Sequence, residues 1–384
     1  MSPQRALVVV TDAQHSLLRS TFREIALGLR ELGLEVGFRI VESYQDIRPE
    51  VEERLARGEN FFLVDGNCKF RLPETPPGFR RFSYVTDAPW GQMEHVLSCQ
   101  GEGAISYVDR THAAFYQDFP CRLRQVFLPH GGPVPDPSSA GERDIDLLFV
   151  GNLLGPCRME HFREATAGLG QPWPELFAFA LEMILEEGLD PYTALKAALL
   201  SKGLTPAAAG LSNVLESLGF LSRFAESHNR WRLLTALAGR SITVCGLLEP
   251  QFFGQLPAGV DYRGLTDEEG VIALMRRAKV LLNSVSVFPA GSHERIWYGM
   301  AHGAVVCSER SRFVEETLRF GDHLLSLEQA VDSRGASLDP WLGDSSARAA
   351  MSEAASVIYA DNHTWRHRAA IIHEAMRRSP VASS

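Results

Sequence analysis

The chain has 384 residues, of which 45% are hydrophobic and 22% are charged. This composition is typical of a soluble globular protein and excludes intrinsic disorder, which requires low hydrophobicity and high net charge. The length corresponds to two or three domains of about 150 residues each. The formal net charge of −9 argues against a nucleic-acid partner, because a surface that binds nucleic acid carries an excess of Lys and Arg.

Apolar runs and cysteines bear on location and cofactors. No apolar run approaches the roughly 18 residues that a membrane-spanning helix needs, so we expect no transmembrane segment. The first residues, MSPQRALVVVTD, contain a shorter apolar run than a secretory signal has, and we therefore expect a cytoplasmic protein. The six cysteines are scattered without a Cys-x-x-Cys pair, so we expect reduced thiols and no metal site.

The N-terminal part of the chain, about residues 1–140, alternates between strand and helix patterns. Ala6–Val10 is predicted to be a buried strand, residues 16–32 an amphipathic helix that stops at Gly33, and GLEVGFRIV the next strand. Further predicted strands are Phe61–Val64, Phe82–Val85, Ala104–Tyr107 and Arg124–Leu128. This alternation predicts a parallel α/β sheet.

A second α/β pattern follows a segment rich in Pro, Gly and Ser at residues 129–144, which we interpret as a linker. It begins with the strand Ile145–Val150 and continues through a helical insertion at about 158–240. The later predicted strands are 241–246, 260–264, 278–285, 303–308 and 323–327, and a long helical stretch closes the chain at 345–378. The sequence thus predicts two α/β domains in series, with a helical insertion in the second.

The most informative motif is FPAGSHERIWYGMAHGAVVCSE at residues 288–309. A loop of small residues that includes Gly291 leads into a predicted helix, for which Ser292 is the expected N-cap. The free N–H groups at such a helix start bind a diphosphate, and Arg295 in the first turn is placed to neutralise a phosphate oxygen. The alternative interpretation is an ordinary strand–helix–strand crossover with a surface arginine.

The stretch SHERIWYGMAHGAVV resembles the donor-site helix of group 1 glycosyltransferases with the GT-B fold, and especially the CgeB-like subgroup. Three more stretches agree with that family in order and spacing: VFLPHGG at 126–132, IDLLFVGNLLGPCR at 145–158 and HTWRHRAAIIHEAM at 363–376. The resemblance implies two Rossmann-like domains: an acceptor-binding domain at 1–140 and a nucleotide-sugar-binding domain at 141–345. It also implies that the segment 346–384 packs back toward the first domain.

What the resemblance implies for function is the transfer of a sugar from a nucleotide-sugar donor to an acceptor, with no metal ion and no other cofactor. One departure concerns the Glu-x7-Glu pair that many group 1 enzymes carry, whose second Glu binds the donor ribose. The matching positions here are Ala290 and Tyr298, so Glu294 becomes the candidate for that contact. The resemblance gives as candidate donor-binding residues Asn152, Arg158, Gly246, Arg263, Gly291, Ser292, His293, Glu294 and Arg295.

Ionisable residues also follow the predicted strands of the first domain, at the strand ends where open α/β sheets bind ligands. Inverting transfer needs a base that takes the proton from the acceptor hydroxyl. Asp12 is the first candidate and Asp87 and His130 are the others, although each also fits a structural role as a cap, a turn or a linker residue. Similar positions are occupied by His15, Asp109, Arg110 and His112.

Two other functions stay open at this stage. One is a nucleotide-sugar 2-epimerase on the same fold, and the other is a non-catalytic binding protein whose helical insertion contacts a partner. The acceptor is open between a protein, a glycan and a small metabolite, as are the sugar, the nucleotide and the stereochemistry of transfer.

Overall fold

The computed structural model describes residues 5–12, 16–135, 141–170, 172–285 and 287–378. Contacts along the chain divide it into two compact units. Unit 1 comprises Met1–Val134 together with Asn362–Ser384, and unit 2 comprises Pro135–Asp361. The end of the chain therefore belongs to the same unit as its beginning.

Unit 1 contains a six-stranded parallel sheet with the strand order β2-β1-β3-β4-β5-β6. The strands are β1 (Arg5–Thr11), β2 (Glu35–Val41), β3 (Phe61–Gly66), β4 (Arg80–Tyr84), β5 (Glu102–Tyr107) and β6 (Arg124–Phe127). The first helices are α1 (Ser16–Glu31), α2 (Arg48–Ala56), α3 (Met93–Leu97) and α4 (His112–Asp118). β3 and β4 are both buried along their whole length, and β3 begins with the apolar run expected of an inner parallel strand, whereas β4 carries two arginines and a serine.

Unit 2 contains a second six-stranded parallel sheet, ordered β12-β11-β10-β7-β8-β9. Its strands are β7 (Ile145–Val150), β8 (Ile242–Cys245), β9 (Val260–Tyr262), β10 (Ala278–Asn283), β11 (Val305–Ser308) and β12 (Leu325–Ser326). Strands are added on one side of β7 as far as β9 and on its other side from β10 onward. The strand order therefore reverses between β7 and β10, and open α/β sheets bind their ligands at the carboxyl ends of strands at such a point.

The chain between β7 and β8 forms helices, as the periodicity predicts. They are α5 (Met159–Ala167), α6 (Trp173–Glu186), α7 (Pro191–Ser201), α8 (Pro206–Ala209) and α9 (Leu211–Ala236). The remaining helices of unit 2 are α10 (Glu268–Arg277), α11 (Glu294–Ala301), α12 (Arg312–Thr317), α13 (Leu327–Asp332), α14 (Asp339–Gly343) and α15 (Ser345–Asn362). Short 3₁₀ helices lie at Tyr44–Ile47, Pro89–Gln92, Pro250–Gln255 and Ala336–Leu338.

The last helix, α16 (Trp365–Arg378), packs against α1 in unit 1. The two helices approach closely at Gly28, where a Cβ would lie 2.8 Å from the Cβ of Ala369. Arg366 adds ion pairs to Glu24 and Glu31 of α1, at 2.9 and 2.5 Å. A glycine and an alanine at the crossing thus allow a contact that a larger side chain would prevent.

The sheet of unit 1 is also tied to the end of α16. Arg80 of β4 and Arg124 of β6 donate to the carbonyls of Met376 and Ala375 in its last turns. Cations near a helix C-terminus interact favourably with its dipole. The two arginines therefore cap the C-terminal end of α16 and hold this helix against the sheet.

The predicted helical stretch at 345–378 is two helices in the structure. The chain leaves helical geometry at His363 and Thr364 because the backbone here pairs with Gly132. Gly132 donates to the carbonyl of His363 at 3.1 Å and accepts from the N–H of Trp365 at 2.8 Å. These hydrogen bonds replace those that a continuous helix would make.

The predicted fold class is confirmed: the chain forms two Rossmann-like parallel α/β sheets with helices inserted between the first two strands of the second sheet. Within the part of the chain that the structure describes, we find no helix of the length and apolarity that crossing a membrane requires.

Candidate donor site

Arg295 lies where the strand order of unit 2 reverses. Its Nη1 donates to the carbonyl of Val150 at the end of β7 at 2.7 Å, and its Nη2 donates to the carbonyl of Ser284, just after β10, at 3.4 Å. The residue is only 5% exposed, and its guanidinium carbon lies 5.9 Å from the ring centre of Phe149. One guanidinium therefore joins the carboxyl ends of the two strands that flank the reversal.

The helix that carries Arg295 begins at Glu294, and its N-cap is His293. The Nδ1 atom of His293 accepts from the backbone N–H of Arg295 at 3.4 Å and from its Nε at 3.1 Å. The prediction that Ser292 is the N-cap is wrong. The hydroxyl of Ser292 is fully buried and accepts from Nε1 of Trp297 at 3.1 Å, so it is used inside the core.

The loop before α11 is held from a second direction at Gly291. Its carbonyl accepts from the hydroxyl of Ser311 at 2.6 Å, and both residues are buried. Glu294, the candidate for the ribose contact, keeps 22% of its side chain exposed, with one carboxylate oxygen 3.1 Å from Nδ1 of His293. The loop backbone is thus fixed by buried contacts, whereas the Glu294 carboxylate reaches solvent.

A second buried arginine, Arg230 of α9, holds the loop that follows β7. Its Nη1 donates to the carbonyl of Asn152 at 2.6 Å, and its Nη2 pairs with Glu226 one turn earlier in the helix. The residue is 6% exposed, and its Nε has no partner among the described residues. The sequence analysis missed Arg230, although a charged residue beside Trp231 on the buried stripe of a long helix is a usable signal.

The two arginines influence each other electrostatically. Burial and the neighbouring charge of Arg230 lower the pKa of Arg295 to about 10, against the opposing effect of the carboxylates of Glu294, Glu226 and Glu309. Burial also lowers the pKa of Arg230. Both side chains are still protonated at neutral pH, and their depressed pKa values mean that the surrounding negative charge does not fully compensate them. This edge of the sheet therefore favours an anion.

The loops after β7 and β8 pack directly on each other. The side-chain oxygen of Asn152 accepts from the N–H of Leu247 at 3.0 Å, and the N–H of Gly246 donates to the carbonyl of Gly264 at 3.0 Å. A Cβ on Gly246 would lie 2.2 Å from the carbonyl oxygen of Gly151. Glycine is required at residue 246 because the two loops leave no space for a side chain between them.

Two other donor candidates lie apart from this group. Arg158 is exposed and occupies the N-cap position of α5. Arg263 follows β9, is exposed, and pairs with Asp261 at 2.6 Å. No contact among the described residues brings either side chain to Arg295.

In unit 1, Asp12 follows β1 at the carboxyl edge of the sheet. Its carboxylate accepts from Nη1 of Arg19 at 2.5 Å, and its side chain is 59% exposed. Its N–H donates to the carbonyl of Val41 at the end of β2 at 2.7 Å. The backbone of Asp12 is therefore fixed while its carboxylate is open to solvent; His15, named with it, lies outside the described residues.

His130 and Asp87 are connected through Thr86. Nε2 of His130 lies 3.0 Å from the carbonyl of Thr86, and the hydroxyl of Thr86 donates to the carboxylate of Asp87 at 3.0 Å. His130 is 5% exposed and its ring packs edge-on against Tyr84 and Trp365, whereas Asp87 is exposed. The structure thus brings together two of the three candidate bases, His130 and Asp87.

The other ionisable residues after β5 have structural contacts. Asp109 is fully buried and accepts from the N–H and the hydroxyl of Thr111 at 2.8 and 2.6 Å. The guanidinium of Arg110 lies 4.9 Å from the ring centre of Phe127. Burial, with the charge of His130, lowers the pKa of His112 to about 3, so this imidazole is neutral in the folded protein. Within the described ranges, no group of three or more His, Cys, Asp or Glu side chains is placed to hold a metal ion.

One family model matches part of the chain. Residues 229–374 match the family described as "Glycosyl transferase-like". The matched region contains Arg230, the loop and helix around Arg295, and most of α16. No curated protein matches this chain.

Solved structures resemble the chain over nearly its whole length. One is AviGT4, a glycosyltransferase involved in avilamycin A biosynthesis, with 13% identity and a TM-score of 0.52 over 98% of each chain. Another is a DNA-modifying β-glucosyltransferase, solved in the presence and absence of its substrate uridine diphosphoglucose, with 11% identity and a TM-score of 0.51 over 97% of this chain and 99% of that one. At these identities the likeness establishes the fold. The chain thus has the GT-B fold, and its residues 229–374 are similar to a glycosyl transferase-like domain.

Proposed function

We propose that this chain transfers a sugar from a nucleotide-sugar donor to an acceptor without a metal ion, as a CgeB-like member of the group 1 glycosyltransferases. The observation that carries the proposal is the pair of buried arginines at the strand-order reversal of unit 2. Arg295 joins the ends of β7 and β10 at the first turn of α11, and Arg230 holds the adjoining loop. Two incompletely compensated cations beside a helix N-terminus suit a diphosphate.

The proposed donor contact uses the remaining donors of Arg295. A guanidinium has five N–H groups, and the contacts to Val150, Ser284 and His293 among the described residues use three of them. Gly151 leaves space beside the buried guanidinium, since a Cβ at this position would lie 3.2 Å from its Nη1. A phosphate oxygen that accepts from Arg295 would gain a charge-assisted hydrogen bond in a partly enclosed setting.

The chemistry that these residues support is the departure of a nucleoside diphosphate. As the bond between the anomeric carbon and the phosphate oxygen breaks, negative charge develops on the diphosphate, and fixed cations stabilise that charge without reorganising. Arg295 and Arg230 are held by backbone carbonyls and supply such charge, which is why we propose metal-independent transfer. Glu294, with its partly exposed carboxylate, is the proposed ligand of the donor ribose.

For the acceptor we propose Asp12 as the base. General-base catalysis requires a group that reaches the hydroxyl whose proton it takes. The carboxylate of Asp12 is largely exposed and its backbone is anchored to β2, whereas the ring of His130 is enclosed between two aromatic side chains. Asp87 stays the second candidate.

The proposal is tested by a thermal-shift screen of UDP, GDP, ADP and dTDP and their glucose conjugates, in buffer with EDTA. We expect one nucleoside diphosphate to raise the melting temperature, because a ligand at a hundred times its Kd stabilises the folded state by about 2.7 kcal/mol. The matching donor is then incubated with candidate acceptors, and nucleoside diphosphate release is measured. Interconversion of the free donor would instead indicate an epimerase, and binding with neither reaction would indicate a non-catalytic protein. No stabilisation by any nucleotide would contradict the donor site.

A further inference from the structure

The helices between β7 and β8 enclose a cavity that the proposed function does not use. It has a volume of about 300 Å³ and lies between α5, α6 and α9. Its lining includes Leu169, Trp173, Phe177, Asn213, Glu216 and Phe220. A volume of this size accommodates a small organic molecule.

Aromatic rings form one continuous wall of the cavity. The ring centres of Trp173 and Phe177 are 5.8 Å apart, and those of Phe177 and Phe220 are 5.6 Å apart. Phe162 stacks behind Phe220 at 5.4 Å with an angle of 29° between the ring planes. Trp173 is half-buried, and Leu169 at the edge is 42% exposed. The wall is therefore a supported apolar surface that is open on one side.

The polar groups of the lining are not equivalent. The hydroxyls of Thr166 and Ser217 donate to the carbonyls of Phe162 and Asn213 in their own helices, at 3.0 and 2.6 Å, so their protons are already used. Glu216 is exposed and is the only ionisable residue among those that line the cavity. The lining therefore combines an apolar wall with a single negative charge.

We propose that this cavity binds an organic cation with an aromatic or apolar body. The body packs against Trp173, Phe177 and Phe220, and the ammonium group pairs with Glu216. A cation beside an aromatic face gains further from the ring quadrupole. Lys202, a cation of the same helical segment, pairs with Glu175 at 2.6 Å.

Helix α9 connects this cavity to the loop of the candidate donor site. Beyond Phe220, the helix contacts that loop through Ser227, which donates to the carbonyl of Gly155, and through Arg230, which donates to the carbonyl of Asn152. The ten residues from Phe220 to Arg230 span about 15 Å at 1.5 Å per residue. The cavity is thus a separate site on the same helix, and its ligand does not have to be a substrate of the transfer.

The test measures binding directly and needs no enzymatic activity. Three probes of one shape, 3-phenylpropylamine, 3-phenylpropanol and 3-phenylpropionate, differ in charge and are titrated into the full-length protein with calorimetric and NMR detection. We expect the amine to bind in the millimolar range or tighter, at least about threefold tighter than the alcohol, and the carboxylate to bind most weakly. Glu216→Gln should abolish the difference between amine and alcohol, because it removes the negative charge that attracts the ammonium group. The residue is exposed, so its replacement should leave the fold intact.

Two control variants separate the cavity from the rest of the helical segment. Glu182→Gln removes one exposed carboxylate of α6 that does not line the cavity, and Phe179→Leu removes an aromatic ring of α6 that is 43% exposed and also outside it. Both should bind the amine like the wild type, whereas Phe220→Leu should weaken all three probes together. Absence of amine binding, equal binding of amine and carboxylate, or an unchanged amine preference in Glu216→Gln would each overturn the proposal. None of these outcomes affects the nucleotide titrations, so failure here is distinct from failure of the proposed donor site.

Discussion

Replacing Arg295 by Ala removes a buried cation from the strand-order reversal of unit 2 and takes the hydrogen-bond donor from two carbonyls. The carbonyls of Val150 and Ser284 lose their contacts at 2.7 and 3.4 Å. An unsatisfied buried polar group costs about 1–3 kcal/mol, so the loss of both contacts should lower the free energy of unfolding by about 2–6 kcal/mol. A folded protein should remain, with a lower melting temperature.

The effect of Arg295→Ala on ligand binding is expected to depend on the phosphates. A charge-assisted hydrogen bond to phosphate contributes about 1.5–3 kcal/mol, so nucleoside diphosphate binding should weaken about tenfold to a hundredfold. Binding of the nucleoside without phosphates should hardly change, since the lost contact is to phosphate. Calorimetric titrations with both ligands, below the melting temperature of the variant, measure the two effects separately.

Arg143 provides a matched control within the same unit. It is half-buried and donates to the carbonyls of Met275, Ala278 and His302 at 3.2, 2.8 and 2.9 Å, and burial lowers its pKa as it does for Arg295. It precedes β7 and contacts the first residue of β10, so it lies at the amino edge of the sheet. Arg143→Ala should lose comparable stability and keep its diphosphate affinity. If Arg295→Ala is folded and binds both ligands like the wild type, or if both variants weaken diphosphate binding equally, Arg295 is a structural residue only.

Three further predictions concern the base, the loop packing and the pH dependence of stability. Asp12→Asn should lower kcat by about 10²–10⁴ and leave donor affinity unchanged in calorimetry; a wild-type kcat would exclude Asp12 as the base. Gly246→Ala should destabilise the protein by about 2 kcal/mol or more and weaken donor binding, because the new Cβ would lie 2.2 Å from the carbonyl oxygen of Gly151; urea unfolding and donor titration at wild-type values would contradict the packing. His112 and His363 both have a pKa of about 3 in the folded protein, chiefly because of burial, against about 6.5 when unfolded. The unfolded state therefore binds more protons between pH 3 and 6.5, and stability should fall by about 2 kcal/mol for each histidine between pH 7 and pH 5. Urea unfolding at the two pH values measures the loss, and equal stability at both would refute buried neutral imidazoles.

Sequence reasoning succeeded where the determining interactions are local. The strand Ile145–Val150 was predicted to the residue, because five of its six residues are apolar and Gly151 follows at once. Alternation of such runs with helical stripes was sufficient for two parallel sheets. In contrast, the polar helix α2 was not predicted, since RPEVEERLA presents little apolar periodicity.

Three features of the structure were not predicted: the N-cap of α11, the contact of Arg230 and the helix break near His363. They depend on contacts between residues distant in sequence or on which of two neighbouring side chains caps a helix. Ser292 and His293 both have side chains that can cap a helix. The buried indole of Trp297 donates to the hydroxyl of Ser292, and His293 is the N-cap. The buried stripe of α9 indicates that Arg230 is buried, but its contact with the carbonyl of Asn152, far away in the sequence, cannot be predicted from the helix. The break near His363 likewise depends on pairing with Gly132.

The division of unit 1 into two chain segments has a consequence for biosynthesis. Residues up to Val134 form its sheet, but α16, which covers α1 and receives the hydrogen bonds of Arg80 and Arg124, is made last. All of Pro135–Asp361 must be translated in between, which takes roughly ten seconds or more at 5–20 residues per second. During that interval Gly28 and the neighbouring surface of α1 are without their helical partner, whereas the segment that forms unit 2 is already being completed. A chain truncated before Trp365 would contain every strand of both sheets. Only the sheet of unit 1 would lack the helix that packs against it, α16.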